Sequence, residues 1–519
     1  MSSRESLADF VRFWGRAIPT SDAIIEGDNA TTWAELDERT SRLANGLRAR
    51  GIAKGDRIGL LAPNCREYLE IVIAGFKLGA ITVPLNFRLT AKELDYIIRN
   101  SGCSLVISAP AHVAVAAEAV AGEPEGADIR RVGFEPGFGE VLSSLYSEDV
   151  TDLDTPIASD DVAFICYTSG TTGNPKGAML THGNVLATAH YRNLADDLGQ
   201  NDRLYLPAPL AFTGTLVMLW AVAYVGGGLT VLDTVSDARR SLEAIQRHKI
   251  SHFTAVPVIW EGMLSDPDFA RFDLSSLRTC LTGGAAVSEA FLQRMWAAGI
   301  PVRNAYGLTE GASSTTWQSF DDAREHPQSV GRAGIHNRIR VVDPVAEPLV
   351  DMPTGEVGEV MVKGPEVMLG YWADPSATTA TLIDGWLKTG DLGYLDRDGY
   401  LYIAGRSKDM FISGGLNVYP AEIEEVLARI PGVVECAVIG VDDEKWGETA
   451  AAIIHLSEDA HLEPIEIRSY CKSQLADYKL PRYVVFRPSP LPRNMSGKIL
   501  KWHLAEEYSE PASLGAPLR

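Results

Sequence analysis

The chain has 519 residues, 46% apolar and 22% charged, which excludes intrinsic disorder and exceeds what one compact core holds, so at least two domains are expected. A formal net charge of -21 argues against nucleic acid or an anionic membrane as partner and means that any anionic substrate must be met by local lysines and arginines. The six cysteines, at 65, 103, 166, 280, 436 and 471, stand singly, with no C-x-x-C pair and no histidine cluster nearby, which predicts a reduced, cytoplasmic protein without structural zinc.

Met1 to Pro19 carries Arg4, Arg12 and Arg16 among apolar residues but has no continuous apolar run, and reads as a docking helix rather than a targeting segment. From Thr32 to Gly51, Trp33, Leu36, Leu43 and Leu47 recur on one helical face and glycine stops the helix. An apolar run at Ile58–Leu61, a helix carrying Tyr68, Leu69, Val72 and Phe76, a strand at Ile81–Pro84, a helix opened by Thr90 with Glu93 in capping-box spacing, and a strand at Leu105–Ser108 follow. This βαβαβ alternation predicts a largely parallel, doubly wound sheet that binds ligands beyond its strand C-termini.

After a Gly/Pro/Glu-rich interval the alternation resumes with a strand at Val162–Tyr167 and a helix from about Gly183 to Leu198. Leu204 to Leu232 holds no charge, yet Pro207, Pro209, Gly214 and Gly226–Gly228 break it into pieces too short for one bilayer-spanning helix. It reads as strand, loop, buried helix and strand. A helix at Ser236–His248, strands at Phe253–Val256 and Ser276–Leu281, a helix at Ser288–Ala298 and a short strand at Val302–Ala305 complete the pattern. The loops past these strands, Thr282–Ala286 and Asn304–Thr309, therefore share one sheet edge, where topology makes a cleft.

From about Gly331 short alternating runs, at Arg338–Val342, Gly358–Val362 and Tyr400–Ile403, predict an antiparallel barrel or hairpin set over about 331–405. A charged turn, Gly405-Arg-Ser-Lys-Asp409, separates this 1–405 domain from a small α+β domain at 406–519. The latter has a helix at Pro420–Ile430, strands at Val433–Val441 and Ala450–Leu456, a helix at Pro464–Leu475 and a strand at Tyr483–Arg487.

One loop stands out chemically. Tyr167-Thr-Ser-Gly-Thr-Thr-Gly-Asn-Pro-Lys-Gly177 follows a buried strand and holds glycines at 170, 173 and 177, the hydroxyls of Thr168, Ser169, Thr171 and Thr172, and Lys176. Backbone that approaches closely, hydroxyl donors and a local cation suit a polyphosphate; a flexible linker is the plainer alternative. Its spacing is not that of a Walker A loop. As a whole it resembles the phosphate-binding signature of the adenylate-forming superfamily, which comprises acyl-CoA synthetases, luciferases and peptide-synthetase adenylation domains. Tyr306-Gly-Leu-Thr-Glu310, Lys388-Thr-Gly-Asp391, Gly405-Arg-Ser-Lys-Asp-Met-Phe-Ile-Ser-Gly-Gly415 and Pro492-Arg-Asn-Met-Ser-Gly-Lys-Ile-Leu-Lys501 match the same superfamily in order, so the likeness spans about Thr32 to Lys501.

The resemblance implies a large α/β domain of doubly wound, mostly parallel sheets with a β-barrel subdomain, and a small mobile lid. It implies that ATP lies against the glycine loop, Gly283, Gly284, Ala285, Asn304, Ala305, Tyr306 and Gly307. Thr309 then contacts the α-phosphate, Glu310 holds Mg²⁺, and Asp391 and Arg406 hold the ribose. The lid turns about Lys408. Lys498 bridges acyl carboxylate and α-phosphate in one pose, and in the other Ser413, Gly414 and Gly415 line a pantetheine tunnel, with Trp446 and Tyr478 as CoA contacts. An acyl-adenylate forms first, and the CoA thiol then attacks it without a protein nucleophile.

Pro209-Leu-Ala-Phe-Thr-Gly214 carries no acid group to pair with an amino-acid ammonium, so CoA ligation is preferred over a peptide-synthetase unit. Phe212, Thr213, Gly214 and Trp260 are the acyl-pocket candidates, with a role in the core open for Phe212 and Trp260. The lining suggests a medium-chain, alicyclic or aromatic monocarboxylate. Delivery of the adenylate to a carrier protein or other acceptor, and a non-catalytic nucleotide-binding relative, are the alternatives. No stable membrane insertion is expected, and a homodimer is left open.

Overall fold

The computed structural model describes residues 6–121, 129–168, 174–225, 229–233, 237–284, 287–344, 346, 348–414, 416–443, 446–457, 459–493, 498–509 and 511–518. Two large sheets form its body. One runs, in spatial order, Gly370–Tyr371, Lys176–Thr181, Val162–Thr168, Ile81–Pro84, Arg57–Leu61, Leu105–Ser108, Arg130–Gly133 and Glu140–Val141. The second runs Val302–Ala305, Thr279–Gly283, His252–Ala255, Arg203–Leu206, Leu229–Leu232, Asp22–Glu26 and Asn29–Thr32. Their central pairings are parallel, as the alternation predicts.

Helices fill the space between them. Thr32 and Thr90 each accept the N3 backbone N–H while Glu35 and Glu93 reach back to the cap, so both helices start with a complete capping box. The largest apolar cluster draws Leu60 and Phe164 from one sheet, Leu206 and Leu232 from the other, and residues of Trp33–Ala49, Arg66–Leu78 and Thr213–Val225 between them. Phe76 sits at its centre, with ring centroids of Phe164, His182 and Trp220 at 5.2, 5.0 and 5.2 Å. The buried His182 Nδ1 accepts the backbone N–H of Leu7 at 3.2 Å, and burial pulls its pKa down to about 4, so it stays a neutral acceptor. The N-terminal helix Ala8–Ala17 docks through Leu7, Ala8 and Val11. The uncharged stretch divides into the strand Arg203–Leu206, the helix Thr213–Val225 and the strand Leu229–Leu232. Among the described residues no helix is long and apolar enough to cross a membrane.

The third sheet pairs Arg338–Val342, Gly358–Lys363, Trp386–Leu395 and Leu401–Arg406, with Leu382–Ile383 beside Trp386. Of the two expected forms, barrel or hairpin set, the described strands make an open set of antiparallel pairs. Leu401 of the last strand exchanges backbone hydrogen bonds with Val330 and Gly331, at 2.9 and 2.8 Å. The C-terminal sheet orders Leu416–Val418, Phe411–Ser413, Gly447–Leu456 and Val433–Asp443, with Tyr483–Arg487 parallel to Gly447–Leu456. It encloses its own apolar cluster around Phe411, Ile423, Leu427, Val438 and Ile467.

Candidate active site

Strand ends build the cleft. Thr279–Gly283 pairs with Val302–Ala305 so that Gly283 stands opposite Ala305 and Thr282 opposite Asn304. Gly284, at φ +74, turns the chain away from the sheet. Gly307 is demanded by close approach, since a Cβ there would lie 1.9 Å from the carbonyl oxygen of Ser313. The chain then forms a short 3-10 turn, Thr309–Gly311, which sets Glu310 near Thr168 and Thr309 near Thr213.

Glu310 is held from two sides. Tyr371 donates its hydroxyl to Oε1 at 2.8 Å, and Thr168 approaches the same oxygen at 3.5 Å. Burial first, and the Glu310 carboxylate after it, push the Tyr371 phenol above its ordinary range, so it remains a donor. Tyr371 reaches this point because Gly370–Tyr371 adds to the edge of Lys176–Thr181, pairing Tyr371 with Ala178. Lys176, which ends the glycine loop, places its Nζ 5.3 Å from the Tyr371 ring centroid. Ser169, Gly170, Thr171, Thr172, Gly173, Ala285 and Gly415 lie outside the described residues.

The antiparallel strands Trp386–Leu395 and Leu401–Arg406 set Asp391 directly opposite Arg406. Asp391, 7% exposed, accepts the Tyr306 hydroxyl at 2.7 Å on Oδ2 and lies 3.1 Å from Arg406 Nε through Oδ1. Burial, followed by Asp391, raises the Tyr306 phenol well above its usual range. Lys498, from the far end of the chain, sits in the field of these groups. Burial and then Arg406 pull its pKa down to about 8, with Asp391 and Asp409 opposing and Lys408 assisting. The ammonium form prevails below that value and is lost as pH rises through it. For the nucleotide-free protein, kcat/KM for ATP in acid-dependent pyrophosphate exchange is therefore expected to fall above pH of about 8. Lys498→Arg should flatten that limb, since a guanidinium keeps its proton; an unchanged profile in that variant would assign the limb to another group.

On the acyl side, the Thr213 hydroxyl donates to that of Thr309 at 3.3 Å, and half-buried Phe212 precedes it at the mouth of the helix Thr213–Val225. A Cβ on Gly214 would stand 3.2 Å from Ser313 Oγ, so Gly214 leaves room beside a hydroxyl. Trp260 corrects the sequence reading. It has 0% exposure, its Nε1 donates to the carbonyls of Ala255 and Leu281 at 3.2 and 3.3 Å, and its ring meets Phe253 edge-on at 4.7 Å. It is core between sheet and helices, not pocket wall.

On the lid, Ser413 is buried and pairs with Gly447. Gly414, at φ +59, donates its N–H to the Trp446 carbonyl at 2.8 Å, and the Trp446 ring fills the space a Cβ would need. Tyr478 lies half-buried beneath Lys479, whose Nζ is 5.5 Å from its ring centroid and 2.6 Å from Glu422. Lys408 is exposed in the turn Ser407–Asp409.

Two residues escaped the sequence reading. Tyr371 is one, though an aromatic in Gly370-Tyr-Trp372 after a strand was available as a signal. Ser313 is the other, in a left-handed pair with Ala312 at φ 76 and 43 that nothing in the Ala-Ser-Ser spelling announces.

A sheet edge carrying Tyr306 and Glu310, a carboxylate held by Tyr371 and Thr168, and a lysine from a separate C-terminal unit fit an adenylate-forming enzyme. Comparison agrees: the AMP-binding enzyme family matches residues 12–372 and its C-terminal domain residues 422–498. The chain belongs to that family. It is 39% identical to feruloyl-CoA synthase of Amycolatopsis sp over 95% of this chain and 97% of that protein. It is likewise 39% identical to the long-chain-fatty-acid–CoA ligase FadD13 of Mycobacterium tuberculosis over 93% and 94%. The anthranilate CoA ligase AuaEII in complex with anthranoyl-AMP superposes with TM-score 0.91 at 28% identity, covering 98% of each chain.

Proposed function

We propose that this protein is an AMP-forming carboxylic acid:CoA ligase acting on an aromatic or alicyclic monocarboxylate. The observation that carries the reading is the buried Asp391 held between the Tyr306 hydroxyl and the Arg406 guanidinium, with half-buried Lys498 of the C-terminal unit lying in the field of that pair. In the adenylation step a carboxylate oxygen of the acid attacks the α-phosphorus of ATP, the bond to the β-phosphate bridge oxygen breaks, and pyrophosphate leaves. Tyr306 flanks the base, Asp391 and Arg406 take the ribose hydroxyls, and Thr309 contacts the α-phosphate. Lys498 stabilises the charge gathering between carboxylate and phosphorus. In the second step the CoA thiol attacks the acyl carbonyl, its proton is released, and AMP leaves.

Glu310, whose carboxylate Tyr371 orients, would hold Mg²⁺, a hard cation that prefers carboxylate and phosphate oxygens. When bound it would neutralise phosphate charge. The lid, residues 406–519, turns about Lys408 between the two steps, and Ser413, Gly414 and Gly415 line the route of the pantetheine arm, with Trp446 and Tyr478 beside it. The free thiols, five of them buried, fit a cytoplasmic setting.

Feruloyl-CoA synthase and the anthranilate ligase favour an aromatic acid, as does an uncharged Phe212–Gly214 mouth. The test is AMP and pyrophosphate release from ATP across hydroxycinnamic, benzoic, alicyclic and fatty acids, each with and without CoA. CoA-dependent turnover that peaks among aromatic or alicyclic acids is expected. A peak at long fatty acids would overturn the substrate class, and acid-dependent exchange indifferent to CoA would replace CoA with another acceptor.

A further inference from the structure

The hairpin that presents Lys498 is anchored from beneath in two different ways. Leu491 and Ile499 plant its legs in an apolar cluster with Ala437, Leu504 and Tyr508. Across the base, the Leu500 N–H donates to the Pro492 carbonyl at 2.8 Å, and Arg493 and Ile499 face each other as an antiparallel bridge. Lys498 adjoins Ile499 of that bridge in sequence, so its placement is inherited from it. Apolar burial fixes how deep the legs sit but leaves their tilt soft, because it is non-directional. Directional contacts must set the tilt.

One side chain supplies them to the incoming leg. Glu435, on the strand Val433–Asp443, accepts the Leu491 N–H on Oε2 at 2.7 Å and the Arg493 guanidinium on Oε1 at 2.8 Å. It is only 15% exposed, and a charge-assisted pair screened from solvent is both stronger and more directional than a surface one. The outgoing leg has a counterpart in Glu424, whose Oε1 takes Lys501 Nζ at 2.7 Å but also the Val438 N–H at 2.7 Å. Glu424 therefore ties the sheet to its helix as well, whereas both partners of Glu435 belong to the hairpin.

We infer that Glu435 is a positioning residue for the adenylation half-reaction: it sets the tilt of the paired segments 491–493 and 498–500 and thereby delivers the Lys498 ammonium to the α-phosphate. The inference rests on the reading of Lys498 as the adenylation lysine. It predicts a divided phenotype. In the thioester-forming pose Lys498 is withdrawn, so the tilt of its hairpin is irrelevant there; in the adenylating pose a displacement of about 1 Å costs on the order of a hundredfold.

The experiment compares Glu435→Ala, Glu435→Gln and Lys498→Ala in both half-reactions, with thermal melting of each variant. Glu435→Ala is expected to lower acid-dependent pyrophosphate exchange by about tenfold or more, while conversion of supplied acyl-adenylate and CoA to thioester is unchanged. Glu435→Gln should recover only part of the exchange, because its amide oxygen still accepts the Leu491 N–H while its NH2 group, a donor, no longer pairs with the Arg493 guanidinium. Equal loss of both half-reactions in Glu435→Ala, with a lowered melting temperature, would make Glu435 mere support for the fold and overturn the inference. Unchanged exchange in Glu435→Ala beside a disabled Lys498→Ala would overturn it as well. Undiminished exchange in Lys498→Ala would instead remove the reading on which it stands.

Discussion

Lys498→Ala is expected to lower acid-dependent pyrophosphate exchange by about a hundredfold or more, while thioester formation from supplied acyl-adenylate continues. The argument is electrostatic. In a chain of net charge -21, the triphosphate must be met by a few local cations, and Lys498 is held half-buried beside Arg406 and Asp391, where its charge is poorly screened. A cation already desolvated and fixed needs no reorganisation when negative charge shifts toward the leaving pyrophosphate. The mixed anhydride, once made, carries its activation in its own bond, so attack by the thiol does not call on this lysine. Equal loss of both half-reactions would show that Lys498 supports the lid as a whole and would sink the assigned role.

Local signals were legible in the sequence, and long-range ones were not. The Thr90 and Glu93 pair and the strand Tyr483–Arg487 are where spacing predicts them, because a capping box and a short apolar run bounded by breakers are settled within a few residues. Of the site, Thr309, Glu310, Asp391, Arg406 and Lys498 stood out only through motifs that resemble those of a known superfamily; the fold sets Asp391 beside Arg406 and Glu310 near Thr168. The hairpin Asp22–Glu26 with Asn29–Thr32 went unread: its apolar run, Ala23, Ile24 and Ile25, is only three residues, and its partner strand Asn29–Thr32 is mostly polar. Tyr371 was missed because its position depends on a two-residue strand joining a sheet edge almost two hundred residues upstream. Trp260 misled for the opposite reason. An aromatic near a strand end fits pocket and core equally, and only its two carbonyl partners decide.

Lys408→Pro is expected to spare adenylation and to cut overall CoA ligation on the order of a hundredfold, as a thiol kept from the carbonyl loses its positioning. In the present pose the C-terminal unit meets the large domain through Glu425, which accepts from Gln328, while half-buried Lys498 lies in the field of Arg406 and Asp391. The hairpin that carries Ser413 and Gly414 turns outward, leaving Ile412 and Leu416 48% and 51% exposed. Two large aliphatic side chains beside a buried serine make a face suited to burial against the large domain in the second pose. On the proposed hinge, reaching it would turn the backbone between Arg406 and Asp409, in a turn whose Met410 N–H donates to the Arg406 carbonyl at 3.2 Å. Proline at 408 fixes φ and removes an N–H in that turn, so one pose is retained at the expense of the other. Pyrophosphate exchange and thioester formation, measured separately on the purified variant, decide the matter: full CoA-dependent turnover would mean that the lid pivots elsewhere, and loss of exchange together with turnover would mean that the turn holds Lys498 in place instead of releasing it.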